Sequence, residues 1–165
     1  PGSVGRLTHV ASTGSPVHGA TVVALDVGDA RIGVARGEVG SSLAFGRGAI
    51  ERRGTKTDVL AVAAAVKEEG ASLVIVGLPL SLDGSDSAQT ARVRAFVAEL
   101  EPVLEPLGAS VALEDERLTT RMAQRQIGGG PLPRGKRQAK GLLDEAAAVL
   151  ILESYLARVI EERRA

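Results

Sequence analysis

The sequence predicts an α/β domain built on a mixed five-stranded sheet with helices on both faces. After a polar opening, three short apolar segments follow one another closely, as hairpin strands do. Two further apolar runs then alternate with stretches of helical periodicity. The hydrophobic fraction, 44%, is carried by Ala, Val and Leu, with aromatics at only 2%, which suits helices packed on an aliphatic sheet. Short connections and right-handed crossovers give the strand order 3-2-1-4-5. At 165 residues the chain is long enough to bury the core of a single domain.

Residues 1–19 mix Gly, Ser, Thr and Pro without periodicity and read as a flexible tail, leaving 20–163 as the folded domain. Val22-Val23-Ala24-Leu25 is apolar on both faces, as a central strand should be. It ends in Asp26-Val27-Gly28-Asp29, where Gly28-Asp29 suits a two-residue turn. Arg31 to Arg36 and Leu43 to Glu51 read as the second and third strands. Thr57 is a candidate cap for a helix from Asp58 to Glu69 whose Val59, Val62, Ala63 and Val66 share a face, and Gly70 ends it. Ser72 to Leu78 is a second doubly buried strand, and the polar loop Pro79 to Asp86 leads into a helix from Ser87 to Leu100. Ser110 to Glu114 forms the fifth strand. Thr119 or Thr120 can cap a short helix stopping at Gly128-Gly129-Gly130. Pro131 to Lys140 is a basic loop, and a long helix runs from Gly141 to Glu162.

Composition removes several chemistries. There is no cysteine, so disulfides and thiolate metal sites are excluded. The two histidines, His9 and His18, lie in the polar opening, a poor place for a triad. No apolar run reaches the ~18 residues of a membrane span, so a soluble cytoplasmic protein is expected. Twenty basic and twenty acidic residues cancel, so any attraction for a polyanion must be local.

Three acids stand in costly places. Asp26 shares a strand face with Val22 and Ala24, and a carboxylate there needs a partner; capping the turn, pairing with Arg31 and holding a cation all satisfy that need. Asp144 lies early in the last helix among Gly141, Ala147, Ala148 and Ile151, a small apolar face that can lie close to a sheet. Its alternative role is complementing the helix dipole. Glu114-Asp115-Glu116 follows the fifth strand, at the carboxyl edge where parallel sheets bind ligands. Oxygen ligands suit magnesium or manganese, and two such ions ~4 Å apart suit phosphodiester hydrolysis.

Four stretches carry a resemblance. They are ALDVGDARIGVA (Ala24 to Ala35), VIVGLPLSLDGSDSAQTARVRAF (Val74 to Phe96), LEDERLTTRMAQ (Leu113 to Gln124) and KGLLDEAAAVLILESYL (Lys140 to Leu156). In this order they resemble the YqgF/RuvX family of pre-16S ribosomal RNA nucleases, also described as Holliday-junction-resolvase-like. The resemblance implies a ribonuclease-H-like fold and a metal-dependent nuclease using Mg2+ or Mn2+. It places catalytic, metal-coordinating carboxylates on Asp26, Glu116 and Asp144, with Asp115 as the alternative to Glu116. The chain departs from related resolvases in having Ala147 where a fourth acid would stand, with Glu145 turned about 100° away. Strand five is also about 10 Å from strand one at ~4.8 Å per strand, so Glu116 must reach across the end of strand four.

Nucleic acid is the expected partner, either pre-rRNA or branched or single-stranded DNA. The loop with Ser85 and Ser87 opens a helix at the same edge, where N–H groups can hold a phosphate or simply cap. Arg117, Arg121 and Arg125 follow Glu116, and Arg134, Lys136, Arg137 and Lys140 precede Asp144; both clusters are placed to bind phosphates. Arg47, Arg52, Arg53 and Lys56 extend that track. The expected function is 5′-end maturation of pre-16S rRNA. The alternatives are a Holliday-junction resolvase, a general DNA or RNA nuclease in repair, and a non-catalytic RNA-binding module in ribosome assembly. Monomer and homodimer are both open, with Leu150, Tyr155 and Val159 as dimer contacts or core.

Overall fold

A computed structural model describes residues 15–119 and 137–165, with side chains from 141 onward in the second stretch. Five strands form one sheet in the order β3-β2-β1-β4-β5. β1 (Thr21–Val27) is central, antiparallel to β2 (Arg31–Glu38) and parallel to β4 (Leu73–Leu78). β3 (Ala44–Glu51) pairs antiparallel with β2 across a bulge between Gly33 and Ala35, and β5 (Ser110–Asp115) pairs parallel with β4. Gly28 N–H donates to the Arg31 carbonyl at 2.9 Å, which moves the tight turn to Asp29-Ala30, one residue later than Gly28-Asp29.

Strand alternation divides the interior in two. Val23, Leu25 and Val27 face α1 (Thr55–Glu69) and α2 (Ala88–Leu104) in a core with Val62, Val66 and Phe96. Val22 and Ala24 face α3 (Arg137–Arg164) and pack with Ile75, Ile151, Leu152 and Leu156. Val22 to Leu25 are fully buried because helices cover both sides of the central strand. Each of the Val and Leu side chains contributes about 1.5–3 kcal/mol. Tyr155 and Val159 belong to this second core.

Helix ends follow local chemistry. α1 starts at Thr55 behind Gly54, earlier than a Thr57 cap predicts, and its N-terminus has no side-chain cap. Asp58 does related work from inside the first turn: its carboxylate accepts from Arg53 N–H at 2.9 Å and from Arg52 Nε at 3.0 Å. Asp58 is 1% exposed. Burial pushes its pKa up, but the Arg53 and Arg52 hydrogen bonds outweigh this and the net shift is downward. Arg52 also donates to the Gly28 carbonyl and stacks over Phe96. Gly70 ends α1 in the left-handed conformation, φ 65°. Ser87 caps α2 through a reciprocal bond pair with Thr90, and α2 continues past Leu100 through Pro102 because Leu104 is fully buried beyond it.

Other boundaries differ from expectation. Residues 15–19, assigned to the tail, are bonded to the fold: Gly19 N–H donates to the Val39 carbonyl and Arg163 to the Pro16 carbonyl. Helical structure begins at 116 rather than after Thr119, whose hydroxyl donates back to the Glu116 carbonyl at 2.7 Å. The last helix begins at Arg137, so the basic loop ends earlier than Lys140. Residues 1–14, Thr120 and the Gly128–Gly130 stop lie outside the described residues.

Candidate active site

Asp26 is the last residue of β1 on the α3 side, and its antiparallel partner on β2 is Gly33. A Cβ on Gly33 would fall 1.9 Å from the Asp144 carbonyl oxygen. Glycine here lets the backbone of α3 rest directly on the sheet, which sets Asp144 beside Asp26. Asp144 Oδ2 accepts a hydrogen bond from Arg31 Nε at 2.8 Å, both side chains being partly buried. The Asp26–Arg31 pairing considered from sequence is therefore replaced by an Asp144–Arg31 pairing.

The three consecutive acids after Leu113 have three different environments. Glu114 is 2% exposed and turns toward α3, accepting from Ser154 Oγ at 3.3 Å and from Arg158. Asp115 is held by Arg117, through the Arg117 backbone N–H at 2.9 Å and an ion pair at 2.6 Å, and its pKa is lowered chiefly by the Arg117 side-chain hydrogen bonds. Glu116 crosses the end of β4. A Cβ on Gly77 would stand 2.6 Å from Glu116 Oε1 and 3.1 Å from its Cγ. The reach of two strand spacings is thus met by a residue with no side chain in the way. Glu116, not Asp115, is the acid electrostatically coupled to Asp26.

Burial and mutual repulsion govern these acids. Desolvation, and then the charge of Asp144, raise Asp26 to about 6. Desolvation, then Asp26, then Asp115 raise Glu116 to about 7. Asp26 is the common neighbour, feeling Asp144 on one side and acting on Glu116 on the other. Among the described residues, no three acids or histidines converge closely enough to enclose an ion as they stand. The donor set nevertheless fits a hard divalent cation: the donors are carboxylate oxygens, and the raised pKa values of Asp26 and Glu116 show that negative charge is poorly solvated there. Asp26, Glu116 and Asp144 are the residues that would hold it, with Asp144 first giving up its bond to Arg31.

Beside Asp144 an open cleft of about 780 Å³ runs between β3 and the start of α3, lined by Arg31, Gly48, Glu51, Gly141, Leu142 and Glu145. Glu145 lies against β3, where a Cβ on Gly46 would meet its Oε1 at 1.7 Å.

The phosphate-binding candidates fare differently. Ser87 caps α2, and Ser85 donates from both N–H and Oγ to Asp83, so both are engaged within their loop. Arg117 is bound to Asp115 and donates to the Leu82 carbonyl at 3.2 Å. Arg47 pairs with Glu69 and Arg52 with Asp58. Arg121, Arg125, Arg134 and Lys136, and the side chains of Arg137 and Lys140, lie outside the described residues. Arg31, Gly33 and Gly77 escaped the sequence reading as site residues. An isolated glycine within a strand pattern was the available signal for the last two, because it marks close approach.

No helix among the described residues is long and apolar enough to cross a membrane. Residues 20–158 match the RuvX family, described as Holliday junction resolvase. A Thermus thermophilus protein named as a candidate pre-16S rRNA nuclease is 47% identical over 139 residues, covering 84% of this chain and 98% of the relative. Ribonuclease YqgF of Deinococcus radiodurans is 43% identical over 138 residues, covering 84% and 88%. Among solved structures, T. thermophilus RuvC in complex with Holliday junction substrate superposes with a TM-score of 0.53 at 15% identity, over 84% of this chain and 95% of that one. At that identity the likeness is one of fold, and it assigns the sheet and its helices to the ribonuclease-H-like class.

Proposed function

Because the chain belongs to the RuvX family, we propose that it is a divalent-metal-dependent nuclease hydrolysing phosphodiesters in 5′-end maturation of pre-16S rRNA. The observation that carries this reading is the placement of Asp26, Glu116 and Asp144 on one face at the carboxyl edge of the sheet, with Gly33 and Gly77 clearing the way. The rRNA substrate is taken from the names of the relatives, whose full lengths this chain nearly spans.

Each acid has a distinct part. Asp26, fixed by β1 and coupled to both of the others, would hold the cation together with each of them. Glu116 supplies an oxygen from the β5 side and Asp144 one from α3. Magnesium or manganese held there supplies Lewis-acid polarisation of a phosphoryl oxygen and acidifies water at neutral pH. With pKa values raised to about 6 and about 7, Asp26 is mostly ionised and Glu116 partly protonated near neutral pH, and a bound cation would favour the ionised form of both. The substrate strand is placed along the sheet edge, its phosphates met by the basic residues between Arg117 and Lys140. The domain is proposed to span 20–163, with residues 15–19 bonded onto it.

The test incubates wild-type and Asp26→Asn protein with a pre-16S 5′-end fragment, single-stranded RNA, single-stranded DNA and a four-way junction. Each is run with manganese, magnesium or EDTA. Wild-type cleavage that EDTA and Asp26→Asn both abolish, strongest on the pre-16S fragment, is the expected result. Preference for the junction moves the assignment to the activity for which the family is described. Equal cleavage by both proteins, or none by either, removes the site.

A further inference from the structure

Arg31 is placed between two features. Its Nε donates to Asp144 Oδ2 at 2.8 Å, and the same residue lines the cleft between β3 and α3. Asp26 and Asp144 repel each other, so the guanidinium on Asp144 offsets charge that a divalent cation would also offset. A guanidinium and a dication a few ångströms apart repel in turn, and more strongly in a partly buried place than in water. The two therefore compete for Asp144. Once displaced, the guanidinium has open space in the cleft, which Gly48 and Gly141 widen by carrying no side chain. Its planar fork of N–H donors matches a phosphate better than any other side chain does. Among the described residues, the other charged residues lining the cleft, Glu51 and Glu145, are both acids, so Arg31 is the cation of that set that can meet a polyanion there.

We propose that Arg31 is a positioning residue that holds Asp144 until a divalent cation binds, and then holds a phosphate of the nucleic-acid strand in the cleft between β3 and α3. The inference rests on the nuclease reading above and adds an ordered exchange of partners to it. Asp144 is kept pointing at Asp26 before the metal arrives, and metal binding frees the residue that receives the substrate.

Calorimetric titration of Mn2+ into wild-type, Arg31→Gln and Arg31→Lys protein is the direct test, with melting curves to verify each fold. Removing the competing charge should tighten manganese binding to Arg31→Gln about 5- to 10-fold. Arg31→Lys, which keeps the charge, should stay within about twofold of wild type. On single-stranded RNA, Arg31→Gln should raise KM about tenfold with kcat nearly unchanged, the cost of one charged hydrogen bond made equally in ground and transition state. Manganese affinity that is unchanged or weaker in Arg31→Gln, in a wild type that binds manganese, removes the exchange while leaving the nuclease reading intact. A KM that does not move removes the phosphate contact. A wild type with no manganese heat and EDTA-insensitive cleavage overturns the metal reading and this one together.

Discussion

Asp58 and Asp26 are acids set against the same sheet, and their surroundings act on them in opposite directions. Asp58 is 1% exposed, yet its pKa is lowered, because Arg52 and the Arg53 N–H outweigh desolvation. Asp26 is more open to solvent but has more protein packed around it, and its pKa rises to about 6, since burial and the neighbouring Asp144 both disfavour its charge. Among the described residues no cation is bonded to it. The difference teaches that the partners a carboxylate finds, more than its exposure to solvent, set the direction of its pKa shift. Asp58 is completed by its own chain and braces the β3–α1 connection, while Asp26 faces another acid, Asp144.

The largest expected contrast is between activity and stability. Asp26→Asn should lower cleavage at least roughly 10³-fold while leaving the melting temperature unchanged or raised, because it removes charge that folding has to desolvate. Asp58→Ala should do the reverse. Leaving Arg52 and the Arg53 N–H without their acceptor should cost about 3 kcal/mol, a fall in Tm of roughly 10 °C, with kcat of the folded protein preserved. A kcat loss in Asp58→Ala, or a large Tm loss in Asp26→Asn, would collapse the distinction.

A smaller effect lies in pH. Asp26 titrates near 3.8 when unfolded and near 6 when folded. Its carboxyl is therefore neutral in both states below pH 3.8 and costs nothing there. As pH rises from about 4 to 6 the unfolded chain ionises first, so stability is lost over that window and stays lost above it. In EDTA, wild type should fall relative to Asp26→Asn by on the order of 1–3 kcal/mol across it. Saturating magnesium or manganese should flatten the difference, and chemical denaturation at several pH values reads both. A difference that grew with pH in the other direction would contradict the origin assigned to the shift.

The smallest effect tests the glycine beneath Glu116. Gly77→Ala places a methyl 2.6 Å from Glu116 Oε1 and 2.5 Å from Ile151 Cδ1. Overpacking there should cost about 1–2 kcal/mol and move Glu116, lowering cleavage more than binding. Val76→Ala, on the opposite face of the same strand, is the control: it should reduce stability and spare the chemistry.

Much of this was legible in the sequence. Asp26 was visible because a charged residue interrupts the apolar face of Val22 and Ala24, and the strand order followed from hairpins and crossovers. The choice between Asp115 and Glu116 was not legible, since it turns on which face the strand end presents and on the cleared space at Gly77. The role of Asp58 was not legible either, because its partner Arg52 lies outside the helix and only the tertiary turn brings them together. The Asp26–Arg31 pair, one of the alternatives left open for that acid, is not formed for a similar reason. Arg31 opens the next strand, but α3 arrives from more than a hundred residues away and takes its guanidinium.

That distance in sequence has a bearing on biosynthesis. A chain emerging from the ribosome makes β1 to β5 before α3, and its early elements can order first. Until α3 is made, Val22, Ala24 and Ile75 have no cover, and Asp26 and Glu116 exist without Asp144. A nascent chain is thus sticky and, on the proposed function, chemically incomplete, and the same docking event ends both conditions. A nuclease synthesised amid RNA would in this way be harmless until its last long helix had settled on Gly33.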